Sequence, residues 1–193
     1  LTEHFNRRAG SPSQQQQMQS TGPMLPLSIS VSELVMTKLC PALYDVLEHG
    51  LRPHLHSLFG KVKNSVWKVV ENSTELGPST KVLNQVVMEL KFLTFTEPQL
   101  KFSAFVFGLL NRGQLAYWIG LLQQSERLLA KHYNEDSLLW QSRDMYNSLY
   151  HNMHASLLTL TQLPFRLQYD DIARHVPPQP QPQQQQQQGS TSS

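Results

Sequence analysis

The chain has 193 residues, 39% of them hydrophobic, which supports one core and is short for two independent ones. Its pI near 8.7 overstates how basic the middle is. Residues 31–172 hold 13 Lys and Arg against 13 Asp and Glu, and the surplus comes from Arg7, Arg8 and Arg174 against Glu3. A neutral folded part lacks the excess charge that neutralises several phosphates, which argues against nucleic acid as a partner.

The ends differ from the middle. Residues 1–29 carry the run Gln14 to Gln17 among Ser and Pro, and residues 173–193 carry Pro177-Pro178, Gln183 to Gln188 and a Gly-Ser-Thr close. Neither has an apolar period, so neither buries enough surface to offset chain entropy, and both are expected to be disordered around a folded domain at 30–172. No initiator Met opens the chain, so it is expected to be a piece of a longer protein. Cys40, the single cysteine, excludes an intramolecular disulfide, suits a reducing cytosol and reads as a small buried apolar residue. No apolar run approaches the roughly 18 residues of a membrane span, and residues 1–10 are too polar for a signal peptide.

Ser32 is placed to cap a helix whose Leu34, Val35, Leu39, Leu43, Val46 and Leu47 follow one face. Pro41 lacks a backbone donor and is expected to end or kink that helix near Leu39, and Gly50 offers a left-handed stop. A short unit at 53–59 ends at Gly60, and residues 60–64 read as an exposed loop. Ser65 caps the next block, with Val66, Trp67 and Val70, until Gly77-Pro78 breaks it. Ser79 or Thr80 then opens a helix with Val82, Leu83, Val86, Val87 and Leu90 on one side.

Pro98 suits the first turn of a helix whose Phe102, Phe105, Val106, Leu109 and Leu110 form a wide stripe as far as Asn111 and Gly113. Phe102, Ala104, Val106 and Gly108 also alternate as a strand would, and length favours the helix. Residues 114–124 continue with Leu115, Trp118, Ile119 and Leu122, and Ser125 caps a short helix through Leu128, Leu129 and His132. A last long segment begins near Asp136, with Glu135-Asp136 as its N-cap, and carries Met145, Tyr146, Leu149, Tyr150, Met153, Leu157 and Leu160 to Pro164. With no strand alternation joined by hairpin turns and no fixed repeat, an all-α bundle of about eight helices around one core results.

Eight histidines invite a metal reading that their spacing does not support. His151 and His154 share a helical face without a nearby carboxylate or thiolate, and His54 and His56, two apart, point to different sides of a helix. There is no G-x-S-x-G, no phosphate-binding glycine loop and no Cys–His signature, so neither enzyme nor cofactor is expected. Trp67, Phe102, Phe105 and Trp118 read as core, with one of Trp67, Trp118 or Trp140 partly exposed as an interface anchor. One charge asymmetry stands out: between Glu48 and Glu71 lie Arg52, Lys61, Lys63 and Lys68, with His54 and His56 and no acid. These four cations are the candidate partner-binding residues, suited to an acidic protein or an anionic headgroup.

The order of blocks LVMTKLCPALYDVLEHGLRP (34–53), SVWKVVENSTELGPSTKVL (65–83), FSAFVFGLLNRGQLAYW (102–118) and LLAKHY (128–133) resembles a RUN domain, most closely that of adaptors carrying RUN and Src-homology-3 domains. The resemblance covers most of residues 31–165. It implies a helical, non-catalytic adaptor that binds a Rab-, Rap- or Arf-like small GTPase or a trafficking or motor protein. It further implies a cytoplasmic module recruited to Golgi, endosomal or other vesicle membranes, touching them only through partners. An alternative is a nucleotide-independent scaffold for an amphipathic peptide of a motor, coat or signalling partner. Many RUN domains are basic near the positions of Ser103 and Phe107, where this chain is uncharged, so their GTPase contacts do not carry over.

Overall fold

The computed structural model describes residues 30–58, 60–95, 97–143 and 148–174. The tails expected to be disordered, 1–29 and 173–193 apart from residues 173–174, fall outside them, as do Met145, Tyr146 and the Leu149 side chain. The chain opens with α1 (Val31–Leu34), a π-helical turn (Val35–Leu39) and α2 (Cys40–Glu48), which run together as one rod. Ser30, and not Ser32, caps it, its hydroxyl accepting from the Glu33 N–H at 3.1 Å. The Ser32 hydroxyl instead donates to Asp171 Oδ2 at 2.6 Å, tying the first helix to the last.

Pro41 does not end this rod. Its missing N–H and its ring disrupt one α-helical rung, and the wide turn just before it absorbs the mismatch, with the Cys40 N–H reaching back to the Val35 carbonyl. The same offset turns Leu34 outward, so this expected core residue is 51% exposed. Gly50 does end the rod, at φ +70°, and a Cβ there would strike Ser137.

Residues 50–52 then pair with 132–134 through the Leu51–Tyr133 bridge. Beyond it the chain forms an antiparallel hairpin of β1 (His54–Ser57) and β2 (Gly60–Lys63), in the register His54–Lys63, Leu55–Val62, His56–Lys61 and Ser57–Gly60. This corrects the reading of 60–64 as an exposed loop: residues 60–63 are a strand, and Asn64 is buried. The rest is helical: α3 (Val66–Ser73), α4 (Lys81–Leu90), α5 (Pro98–Asn111), α6 (Leu115–Gln124), α7 (Glu126–His132), α8 (Leu138–Gln141), α9 (Ser148–Leu160) and α10 (Tyr169–Ala173).

Ser65 caps α3 by accepting from the Lys68 N–H at 3.2 Å, and Pro98 opens α5 as its composition requires. Thr80 stands at the start of α4, but its hydroxyl bonds the Glu75 carbonyl and not the helix. Ser125 likewise stands at the start of α7 without a capping bond. Ser137, not Glu135-Asp136, caps α8, accepting from the Trp140 N–H at 3.2 Å.

Helix α5 is the axis of the bundle. Every residue from Phe102 to Leu110 is buried, so the expected stripe is in fact a full circumference, and the uncharged Ser103 and Phe107 lie inside it. Gly108 allows the close approach of α4 and α10, since a Cβ there would sit 2.5 Å from Val86 Cγ1 and 3.1 Å from the Tyr169 hydroxyl. On α4, Leu83, Val86, Val87 and Leu90 are buried, whereas Val82, expected beside them, is 40% exposed.

An aromatic cluster fixes α5 against α6 and α3. Trp118 is fully buried, meets Phe105 edge-to-face at 4.9 Å and donates its indole N–H to the Ser73 hydroxyl at 3.0 Å. Trp67 is only half-buried, and so is Trp140. Cys40 is buried as a small core residue, and burial pushes its thiol up to about 12. Among the described residues no helix is long and apolar enough to cross a membrane.

Candidate partner-docking surface

The hairpin decides which candidate side chains act together. In a strand pair, directly opposed residues share a face, and so do residues two apart along one strand. His54, His56, Lys61 and Lys63 therefore lie on one side of the ribbon, with Leu55 and Val62 on the other. On a helix the two histidines would have diverged; on β1 they converge with the lysines. His54, His56, Lys61 and Lys63 are all exposed, and the two lysines make no ion pair with a described residue.

Arg52 stands at the base of the ribbon, where its Nε donates to the Tyr133 carbonyl at 2.9 Å. Lys68 is on a different element, α3, and pairs with Glu71 Oε2 at 2.9 Å. The other Glu71 oxygen accepts from the Trp67 indole at 2.9 Å, while the Lys101 ammonium lies 4.1 Å from the centre of that ring. Of the four candidate cations, Lys61 and Lys63 thus form one face, Arg52 adjoins it, and Lys68 is partly neutralised elsewhere.

A buried polar knot orients the ribbon. Asn64 gives its backbone N–H to the Pro53 carbonyl at 3.0 Å and its side-chain amide to the Arg52 and His132 carbonyls at 2.8 and 3.1 Å. Its Oδ1 accepts from the Ser65 N–H at 3.0 Å and lies 2.9 Å from His132 Nδ1. Because Oδ1 only accepts, Nδ1 carries the proton, and Nε2 is left to accept from the Asn72 amide at 2.8 Å. Burial, with the Lys131 charge adding, pushes the His132 imidazole down to about 4. Asn64→Ala is expected to lower stability by about 2–4 kcal/mol, because it orphans several buried groups at once. Urea denaturation of the variant beside the parent chain checks this.

Neither member of the knot was visible as a site in the sequence, since Asn64 and His132 are brought together only by the fold. The ribbon did leave a signal: His-Leu-His and Lys-Val-Lys each alternate polar and apolar residues.

Two grooves, neither lined by the hairpin, are also present. One, of about 510 Å³, runs between α2 and α9 and is lined by Leu39, Leu43, Val46, Met153, Leu157 and Leu160 among others. The second, of about 630 Å³, lies between α6 and α9 beside Tyr117, Gly120, His154 and Leu158. On α9, His154 stacks on Tyr150 with ring centres 5.8 Å apart, and no group of three or more His, Cys, Asp or Glu among the described residues is arranged to hold a metal ion.

Comparison with known proteins gives this arrangement a lineage. Over 143 residues, 73% of this chain, it is 38% identical to the human (Homo sapiens) AP-4 complex accessory subunit RUSC2, of which the match covers 9%. Over the same length it is 35% identical to the human AP-4 complex accessory subunit RUSC1 and 34% identical to its mouse (Mus musculus) counterpart, covering 16% of each. The chain therefore spans less than a fifth of the length of these relatives. The RUN domain model matches residues 38–171, from the turn before Pro41 to α10, and the chain belongs to the RUN domain family.

Proposed function

We propose that this chain is a non-catalytic protein-interaction module of vesicle trafficking, an adaptor that recognises a Rab-, Rap- or Arf-like small GTPase or the machinery associated with it. The observation that carries the reading is its domain-length likeness to proteins named as accessory subunits of the AP-4 complex, whose names describe attachment to a larger assembly. The basic face of Lys61 and Lys63, with Arg52 beside it, would supply the docking face for an anionic counterpart, acting mainly on encounter, while Lys68, paired with Glu71 on α3, would add little. The module would work in the cytoplasm and be recruited to Golgi, endosomal or other vesicle membranes, with no cofactor of its own.

Nucleotide dependence follows only if the partner's switch segments, ordered by the γ-phosphate, lie in the contact. The apolar α2–α9 groove favours a second reading, in which the domain seats an amphipathic helix of a motor, coat or signalling protein whatever the nucleotide. Pull-down from cytosol loaded with GDP or with a GTP analogue tests both. Retention of a GTPase in the analogue arm alone supports the first reading, equal capture of one partner in both arms supports the second, and small-molecule turnover without any captured partner overturns both.

A further inference from the structure

We infer that the hairpin is a contact with an anionic lipid bilayer, its basic face lying against the headgroups and its tip entering the interfacial layer. This rests on the reading of that face as a docking surface and names its counterpart. Two observations converge on it. The first is the face itself, where Lys61 and Lys63 oppose His56 and His54 with no acid anywhere between Glu48 and Glu71. Lysines near an anionic leaflet are attracted to it, and the two imidazoles add hydrogen-bonding groups for headgroup oxygens.

The second is the tip. Hairpin turns are ordinarily built from Gly, Asn, Asp or Pro. Here Leu58 follows β1 and is 99% exposed, a whole apolar side chain held in water at the far end of the ribbon. Val62, on the face opposite the lysines, is 45% exposed. A cationic ribbon ending in an apolar residue is matched by the bilayer boundary, which offers anionic headgroups and, a few ångströms deeper, acyl chains.

The base of the ribbon is rigid enough to present the tip. Arg52 and Asn64 are both bonded into the segment that carries His132 and Tyr133, and the Ser57 hydroxyl closes the turn on the Gly60 carbonyl at 2.9 Å. Two lysines and one leucine give weak binding, measurable at high lipid concentration, which a membrane-bound protein partner would strengthen through the high effective concentration that tethering supplies.

The test is co-sedimentation of the full chain with vesicles of phosphatidylcholine alone or containing phosphatidylserine. Binding to the phosphatidylserine vesicles only is expected, with Leu58→Ser weakening it about five-fold and the Lys61→Glu/Lys63→Glu pair abolishing it. All these side chains are exposed, so circular dichroism should report an unchanged fold for each variant. No binding to phosphatidylserine vesicles, or equal binding by Leu58→Ser and the parent chain, overturns the bilayer contact. If the lysine reversal then still slows capture of a protein partner, the face docks an acidic protein and the adaptor reading stands. If vesicles are bound as expected but no protein partner is captured in either nucleotide arm, the adaptor reading fails while the bilayer contact holds.

Discussion

Trp118→Ala is expected to destabilise the domain by about 3–5 kcal/mol, the range for truncating a large aromatic side chain inside a packed core. The indole is fully buried, packs edge-to-face on Phe105 and donates to the buried Ser73 hydroxyl, so the substitution leaves a cavity and removes one buried hydrogen bond, the hydroxyl still donating to the Val70 carbonyl at 3.0 Å. Trp67→Ala should cost less, about 1–2 kcal/mol, because that indole is only partly buried, meeting Phe105 on its inner side and Glu71 and Lys101 at the surface. Denaturant midpoints of the two variants, measured side by side, check the order as well as the sizes. A Trp67 effect equal to that of Trp118 would show that the α3 face is packed more deeply than it is here.

Acid should weaken the domain through His132 before most carboxylates titrate. The ordinary imidazole value is 6.5 and the folded value is about 4, so between these limits the unfolded chain binds the extra proton. Stability therefore rises with pH through this window; it is fully present above 6.5 and lost as pH falls to about 4, by roughly 3 kcal/mol at most. The main cause is burial of the imidazole, with the Lys131 charge adding, and a proton on Nε2 would also face the Asn72 amide, itself a donor. Urea unfolding at about pH 7 and about pH 4.5 should show the loss in the parent chain and a flatter dependence in His132→Gln, which cannot titrate.

Local chemistry was the most legible part of the sequence. Ser65, Gly50 and Pro98 act where their side-chain oxygen, left-handed backbone freedom and fixed φ place them. That α5 is a helix and not a strand followed from its length, although its burial on every side went beyond the stripe its period marked. Errors arose where neighbouring residues of similar chemistry compete. Ser30 displaces Ser32 because Asp171, 139 positions away, claims the Ser32 hydroxyl, and Ser137 displaces Asp136 at the start of α8. Of the two outcomes expected at Pro41, an end or a kink near Leu39, the rod does not end, and the irregularity takes the form of a π turn over Val35–Leu39 that no short-range pattern announces.

The candidate site was half legible. Its cations could be picked from the missing acids, but their grouping depended on backbone period. Read as helix and loop, His54 and His56 diverge and Lys61 and Lys63 are unrelated to them; read as strands, all four share a face. The Asn64–His132 knot, 68 residues apart, and the exposed tip at Leu58 required the fold itself.

The proposed recognition of a small GTPase is tested most directly by titrating the full chain with purified Rab-, Rap- and Arf-like GTPases, each loaded with GDP or a non-hydrolysable GTP analogue. A nucleotide-sensing effector should bind at least one of them about ten-fold or more tightly in the analogue form, a coupling of about 1.4 kcal/mol. Equal affinity for the two forms would contradict nucleotide sensing, and no binding to any member in either form would contradict recognition of a GTPase by this domain.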